Sequence, residues 1–155
     1  MSQNSTKPDK PGQVADAITG NWVDNFAPIK LRPYLRLSRA DRPIGTWLLL
    51  IPCWWGLLIG ILEDENVLAS DFWLLFSCSI GAFLMRGAGC TWNDILDRKI
   101  DGAVERTRSR PIPSGQVNLT QAIVWMILQI GLAGTILLSY NLISIILGLS
   151  SLFLV

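Results

Sequence analysis

The chain has 155 residues, of which half are hydrophobic and only 16% are charged, and its formal net charge is +1. It contains no His, which excludes a His-ligated metal site and removes the commonest general base. The apolar residues come in long blocks rather than with the scattered periodicity of a soluble domain, so they favour an integral membrane protein. We expect membrane lipid around the chain and no nucleic-acid partner.

Residues 1–27 are polar, with scattered Pro and Gly, and predict a flexible N-terminal tail. A signal peptide is not expected, because the first apolar block begins too late and no small-residue cleavage site follows it. Asp9, Asp16 and Asp24 argue against a mitochondrial transit peptide, which is poor in acids.

Residues 28–42 predict a short amphipathic helix that lies on the inner membrane surface. Arg32, Arg36 and Arg39 recur at helical spacing and would share one face. We expect Arg32 and Arg36 to anchor lipid headgroups. Arg39 lies nearest to the first apolar block and is the better candidate for a substrate contact.

Four apolar blocks follow along the chain. A helix needs about 20 apolar residues to cross the hydrocarbon core, and lipid leaves no alternative to helix for such a block. We therefore predict an all-α fold, an integral membrane bundle with three complete transmembrane helices and a truncated fourth. The blocks are residues 44–62, 72–92, 119–140 and 141–155.

Basic residues are confined to one side of the predicted membrane. All 13 Lys and Arg lie before residue 44, in 98–110, or at Arg86. The connection between the first two blocks carries Glu63, Asp64, Glu65 and Asp71 and no base. Because positively charged loops stay on the side of synthesis, the N-terminus and residues 93–118 are expected inside.

Four oxygen ligands follow the second block directly: Asn93, Asp94, Asp97 and Asp101. If the helix continues, Asn93, Asp97 and Asp101 recur every four residues and share one face. Like charges on one stripe repel unless a cation lies among them. Oxygen ligands without Cys or His favour Mg²⁺ over zinc or copper, so the spacing predicts a magnesium site.

A group of bases, Arg106, Arg108 and Arg110, follows the acids, and Pro111 and Pro113 then force a turn. Acids for a metal followed by bases for phosphate oxygens is the arrangement that a metal-bound diphosphate requires. The alternative is a solvated loop of ion pairs, each contributing about 0 to 1 kcal/mol. The helical recurrence of the acids favours the diphosphate site.

Arg86 is the one charge inside the second block, seven residues or two helical turns before Asn93. It could snorkel to the inner surface, or it could face the same cavity as Asn93. A charge at the bilayer centre costs about 2.5 to 3.5 kcal/mol on insertion scales. We favour the cavity.

These motifs together resemble the UbiA superfamily of intramembrane prenyltransferases. The resemblance covers residues 31–155 and includes an Arg-x-x-Arg-Pro-Ile-Gly segment at 39–45. Its most specific part is the run Leu84-Met85-Arg86-Gly87-Ala88-Gly89-Cys90, followed by Asn93-Asp94, Asp97-Arg98, Asp101, Arg106-Thr107, Arg110-Pro111 and Ser114-Gly115.

The resemblance implies that the Asp-rich motif holds Mg²⁺ and a prenyl diphosphate. Asn93, Asp97 and Asp101 are then the metal-side residues, with Asp94 beside them, and Asp97 and Asp101 are assigned to catalysis. Four basic residues match family positions and are assigned to the diphosphate or to the carboxylate of an aromatic acid: Arg39, Arg86, Arg106 and Arg110.

The resemblance also implies a fold of about nine transmembrane helices. Residues 28–155 are then expected to be the incomplete N-terminal part of that domain, inactive alone, because the family's second Asp-rich motif follows its sixth helix. The implied activity is transfer of a polyprenyl group from polyprenyl diphosphate to an aromatic acid. The similarity is greatest to members that use 4-hydroxybenzoate in ubiquinone biosynthesis, in the bacterial inner membrane.

Other functions remain as alternatives. Homogentisate, naphthoate and haem prenyltransferases act on related acceptors, and a non-enzymatic membrane subunit would leave the loop charges dispensable. A CDP-alcohol phosphotransferase motif fits Asp101-Gly102, Arg106 and Gly115. Leu119 and Ile123 stand where that motif requires carboxylates, so its metal site is excluded.

Overall fold

The computed structural model describes residues 20–64 and 66–151, and within these ranges all the regular secondary structure is helical. Three of the helices in the described ranges are long and apolar enough to cross a membrane, which confirms the three predicted spans. The helices are α1 (Trp22–Phe26), α2 (Arg32–Leu37), α3 (Ile44–Asp64), α4 (Ala69–Leu96), α5 (Arg98–Ala103), α6 (Leu119–Leu137) and α7 (Leu142–Ser151).

The spanning helices are α3, α4 and α6, and each leaves most of its apolar surface uncovered, as suits contact with lipid. α4 has 28 residues and extends beyond the predicted block at both ends. α7 has 10 residues and is the apolar helix of the fourth block. Residues 152–155 of that block lie outside the described ranges.

α4 lies between α3 and α6 and packs against both. At one end of the bundle, Trp54 Nε1 of α3 donates to the carbonyl of Leu75 at 3.3 Å. There the hydroxyls of Ser77 in α4 and Tyr140 after α6 are 2.7 Å apart. Hydrogen bonds of this kind between membrane-spanning helices tie neighbouring helices together.

At the opposite end, a small core joins the segment before α3, the end of α4 and the start of α6. Leu37, Ile95, Val117 and Ala122 are all buried in it. The basic segment before α3 and the charged segment between α4 and α6 therefore lie at the same end of the bundle. Their common position agrees with the side assignment made from the charge distribution.

The described part of the predicted tail is ordered. Residues 20–27 contain α1, whose N-cap Asn21 accepts a hydrogen bond from the Asp24 amide at 3.0 Å. Val23 is fully buried against Ala27 and Ala40. The tail therefore differs from the prediction here, because a capped turn buries apolar side chains. Residues 1–19 lie outside the described ranges.

The amphipathic helix is shorter than predicted, since α2 covers only Arg32–Leu37 of residues 28–42. It ends because Arg39 takes a left-handed conformation with φ of 54°. The Arg39 amide then donates to the Arg36 carbonyl at 3.0 Å and the Ala40 amide to the Leu35 carbonyl at 2.9 Å, a Schellman termination. Arg39 consequently does not share the face of Arg32 and Arg36.

α4 does not continue through the acidic motif as predicted. It ends at Leu96, with Asp97 as C-cap at ψ of 0°, and α5 begins at Arg98. The Arg98 side chain donates to the Ile95 carbonyl at 2.7 Å, which satisfies one of the free carbonyls at the helix end. The predicted stripe of Asn93, Asp97 and Asp101 on one continuous helix is therefore wrong.

Candidate active site

A cavity of about 310 Å³ opens at the end of the bundle where the basic segments meet. Its lining includes four arginines and two aspartates, so positive charge predominates and the cavity suits an anion. The lining residues come from the segment before α3, from α4 and from the loop before α6: Arg39, Arg42, Arg86, Cys90, Asn93, Asp94, Asp97 and Arg110.

A chain of ion pairs connects the cavity wall to the loop after α5. Arg39 Nη2 lies 2.8 Å from Asp94 Oδ1. Arg110 Nη1 lies 3.4 Å from the same oxygen and 2.7 Å from Asp101 Oδ2. Asp94 and Asp101 are only 2% and 7% exposed. Because buried carboxylates must be paired, these contacts hold the loop against the end of α4.

The loop between α5 and α6 is shaped to bring Arg110 back over the acids. The buried hydroxyl of Thr107 donates to the Asp101 carbonyl at 3.0 Å. The Val117 amide donates to the carbonyl of buried Pro111 at 3.0 Å. Gly115 provides the left-handed residue of the turn, with φ of 75°. The turn predicted at Pro111 and Pro113 is therefore present, and with it Arg110 contacts Asp94 and Asp101.

The four predicted metal-side residues separate into two pairs. Asn93 and Asp97 have exposed side chains and line the cavity. Asp94 and Asp101 are buried and turned toward Arg110. Asp101 does not line the cavity, because the break at Asp97 redirects the chain into α5. The structure thus brings Asn93, Asp94 and Asp97 together and connects Asp101 to them through an arginine.

A divalent cation fits these residues if it takes only a few ligands from the protein. Within the described ranges, no group of three or more His, Cys, Asp or Glu side chains could hold a metal by itself. Asp94 Oδ2 is nevertheless buried with no hydrogen-bond partner in the described structure. Mg²⁺ usually takes one or two carboxylates and completes its shell with water and phosphate oxygens, which this donor set permits.

Arg86 faces the cavity from the second spanning helix. Its guanidinium lies so close to α3 that a Cβ on Gly45 would stand 2.3 Å from Nε and 2.4 Å from Nη2. Nε is buried and lacks a hydrogen-bond partner among the described residues. Of the two alternatives for Arg86, the geometry supports the one in which its side chain faces the cavity. Glycine is required at position 45 because a Cβ there would overlap the Arg86 guanidinium.

Three other arginines have different surroundings. Arg36 was expected to anchor headgroups, but it is buried and paired with Asp24. Arg32 Nε donates to the Ala27 carbonyl at 2.9 Å. Arg106 is exposed and does not line the cavity. The arginines that the structure gathers from the predicted substrate set are Arg39, Arg86 and Arg110.

Two lining residues received no role from the sequence. Arg42 reaches the cavity and its Nε lies 3.4 Å from Asp41 Oδ2, while the buried Cys90 lines the same cavity. The repeat of arginine at 39 and 42 just before the first span was a usable signal for Arg42. Cys90 lies four residues, about one turn, after Arg86 on α4, which places both on the cavity side.

Comparisons with known proteins identify relatives of this chain. Residues 49–155 match the UbiA prenyltransferase family. The chain is 49% identical over 139 residues to the 4-hydroxybenzoate polyprenyltransferase, mitochondrial, of Rattus norvegicus, covering 90% of this chain and 36% of the relative. For the Bos taurus protein of the same name, identity is 50% over 139 residues, with 90% and 37% covered.

The Arabidopsis thaliana protein of that name is 48% identical over 136 residues, which cover 87% of this chain and 32% of the relative. The chain thus spans about a third of the length of these curated relatives. No solved structure matches it. With the matched region covering more than half of its residues, the chain is a member of the UbiA prenyltransferase family.

Proposed function

We propose that the protein containing this chain transfers a polyprenyl group from polyprenyl diphosphate to 4-hydroxybenzoate, in ubiquinone biosynthesis. The observation that carries the proposal is the arginine-rich cavity, where Arg86 Nε and Asp94 Oδ2 find no hydrogen-bond partner among the described residues. A diphosphate with a bound cation supplies both an acceptor for the guanidinium and a positive charge for the carboxylate. The names of the relatives support the same activity.

The arginines are suited to the diphosphate and to the acceptor carboxylate. Guanidinium groups bind phosphate and carboxylate oxygens through two parallel hydrogen bonds. Arg39 and Arg110 stand beside Asp94, while Arg42 and Arg86 complete the basic side of the cavity. We assign these four to anion binding, and Arg106 to the same function only if the loop rearranges.

Asn93, Asp94 and Asp97 are the residues that would hold Mg²⁺, with Asp101 supporting them through Arg110. When bound, the metal ion would neutralise the diphosphate and make it a better leaving group. The catalytic assignment of Asp97 and Asp101 is part of this proposal. Of these two residues, Asp97 is the one whose carboxylate lines the cavity.

The chemistry then requires cleavage of the allylic C–O bond of the prenyl diphosphate. The ring carbon ortho to the phenol hydroxyl forms the new C–C bond, and loss of its proton restores aromaticity. The arginines hold the departing diphosphate, so the negative charge that develops on it is stabilised in place. A site that excludes water protects the allylic cation.

A binding measurement tests the proposal in the protein expressed from its complete gene. Inorganic diphosphate with Mg²⁺ is expected to raise the melting temperature, with about 2.7 kcal/mol of stabilisation at 100 times Kd. Prenyl transfer to 4-hydroxybenzoate should exceed that to homogentisate. Transfer to homogentisate and not to 4-hydroxybenzoate would show that the proposed acceptor is wrong, while the proposed reaction, prenyl transfer to an aromatic acid, would stand. A non-enzymatic subunit would show neither stabilisation nor transfer.

Gly45→Ala should reduce prenyl transfer with little change in melting temperature. The new methyl group would overlap the Arg86 guanidinium, and this flexible end can move away without unfolding the bundle. Gly56→Ala is the matched control, since nothing stands within 4 Å of a Cβ at that position of the same helix. Equal activity of the two variants would show that the position of Arg86 is unimportant.

The membrane concerned is proposed to be the bacterial inner membrane, with residues 93–118 on the cytoplasmic side. The relatives named above are mitochondrial proteins, so a mitochondrial membrane is the alternative. The concentration of bases at one end of the bundle supports the orientation in either case. Recovery of the native protein in another membrane fraction would contradict both.

A further inference from the structure

The residue that aims most directly at Asp94, Arg39, is held in an unfavourable backbone conformation. Among the described residues, Arg39 is the one non-glycine residue with a positive φ, which is 54°. It occupies the position of a Schellman termination at which glycine is preferred. Side chains with a Cβ are strained there. Arginine at this position therefore indicates that its guanidinium is needed where the strained corner places it.

The residue before this corner is held by the third spanning helix. Ser38 is only 4% exposed, and its hydroxyl oxygen accepts hydrogen bonds from Trp125 Nε1 at 2.8 Å and Gln129 Nε2 at 2.6 Å. Trp125 and Gln129 are four residues apart and so lie on the same face of α6. Two donors from one helix thus converge on one hydroxyl.

The residue after the corner is held from the opposite side. Trp22 Nε1 of α1 donates to the Ala40 carbonyl at 2.7 Å. Ala40 itself is buried with Val23 and Ala27, and Leu35 packs against them. Arg39 is therefore flanked by two anchored residues, one tied to α6 and the other to α1.

The helix that carries the acidic motif makes room for this arrangement. A Cβ on Gly87 would lie 2.7 Å from Gln129 Oε1 and 2.9 Å from the Ser38 Cβ. Gly87 stands seven residues, about two turns, before Asp94 on α4. The hydrogen-bonded group of Ser38, Trp125 and Gln129 is thus packed against the same helix that Arg39 contacts at Asp94.

We infer that Ser38, through its hydrogen bonds to Trp125 and Gln129 of α6, is a positioning residue that holds the strained Arg39 corner so that Arg39 meets the diphosphate. This inference rests on the proposed function. It extends the site to a spanning helix that contributes no residue to the cavity lining. Ser38 acts through Arg39 and does not itself touch the substrate.

A double-mutant cycle in the protein from its complete gene tests the inference. Ser38→Ala removes the acceptor of both hydrogen bonds and is expected to raise KM for the prenyl diphosphate roughly tenfold, because the Arg39 corner loses its connection to α6. The same substitution in an Arg39→Ala background should change KM little, because the residue through which it acts is already gone. Additive effects on KM would overturn the inference.

Ser79→Ala is the matched control. The Ser79 hydroxyl donates only to the Leu75 carbonyl in its own helix, at 2.8 Å, so KM should be unchanged. If Ser38→Ala does not accumulate, Gln129→Met removes one of the two donors at similar volume, and it should also raise KM, by a smaller factor. Normal KM in Gln129→Met would contradict the role of the α6 contact.

A comparison of two substitutions at the corner gives a second readout. Arg39→Gly and Arg39→Ala both remove the guanidinium, and both should reduce to a similar extent the melting-temperature rise produced by inorganic diphosphate with Mg²⁺. Arg39→Gly should melt at a higher temperature than Arg39→Ala, since glycine adopts φ of 54° without strain. The reverse order would show that the corner is not strained.

The two proposals fail differently. Absence of transfer and of diphosphate stabilisation in the wild-type protein would refute the proposed function. Normal wild-type activity with additive effects of Ser38→Ala and Arg39→Ala would refute only the positioning by Ser38.

Discussion

Asp97→Ala should reduce prenyl transfer by at least about 100-fold, because it removes the exposed carboxylate that lines the cavity and a bound metal supplies several kcal/mol of charge stabilisation. The melting temperature without ligand should change little, since Asp97 is exposed and follows the end of α4. The measurement is the transfer rate at saturating Mg²⁺, together with the stabilisation produced by inorganic diphosphate with Mg²⁺.

Glu105→Ala is the control for Asp97→Ala. Glu105 is also an exposed acid of the charged segment but does not line the cavity, so transfer should remain at the wild-type rate. Asp97→Asn keeps the size of the side chain and should lose activity as Asp97→Ala does. Wild-type transfer by Asp97→Ala in Mg²⁺ would remove Asp97 from the metal site.

Arg110→Ala should destabilise the folded protein by about 3 kcal/mol, the lower end of the range for removing one partner of a buried ion pair. Asp101 would lose its 2.7 Å contact and Asp94 one of its two arginines. The side chain of Arg110 is itself only 16% exposed, so water cannot easily replace it. Thermal melting of the complete protein in detergent measures the loss.

Arg108→Ala provides the comparison, since Arg108 belongs to the same basic group but is exposed. It should melt like the wild type. Combining Arg110→Ala with Asp101→Asn should recover part of the stability, because the second substitution removes the charge left without its partner. If Arg110→Ala has the same melting temperature as the Arg108→Ala control, the ion pairs do not hold the loop against the end of α4.

The ion pairs also explain how a charged site can persist at the end of a membrane bundle. Arg39 and Arg110 pair with the carboxylates of Asp94 and Asp101, so none of these four charges is buried alone. The two arginines would also attract a diphosphate, and the two carboxylates would attract its cation. The site is thus arranged before ligand binds, which lowers the reorganisation needed on binding.

Much of the fold follows from the sequence by itself. Three uncharged or nearly uncharged blocks of sufficient length predict the spans seen as α3, α4 and α6, because a chain in lipid must satisfy its backbone polar groups within a helix. The distribution of Lys and Arg predicts which segments share an end of the bundle. The run of acids and bases contains half of the residues that line the cavity, namely Asn93, Asp94, Asp97 and Arg110.

Only the tertiary structure decided how these residues are paired. Helical spacing placed Asn93, Asp97 and Asp101 on one face, whereas the end of α4 at Leu96 separates Asp101 from the cavity and pairs it with Arg110. The left-handed corner at Arg39 likewise depends on contacts from α1 and α6. Spacing reports periodicity within a helix, but the positions at which helices end depend on side chains distant in the sequence.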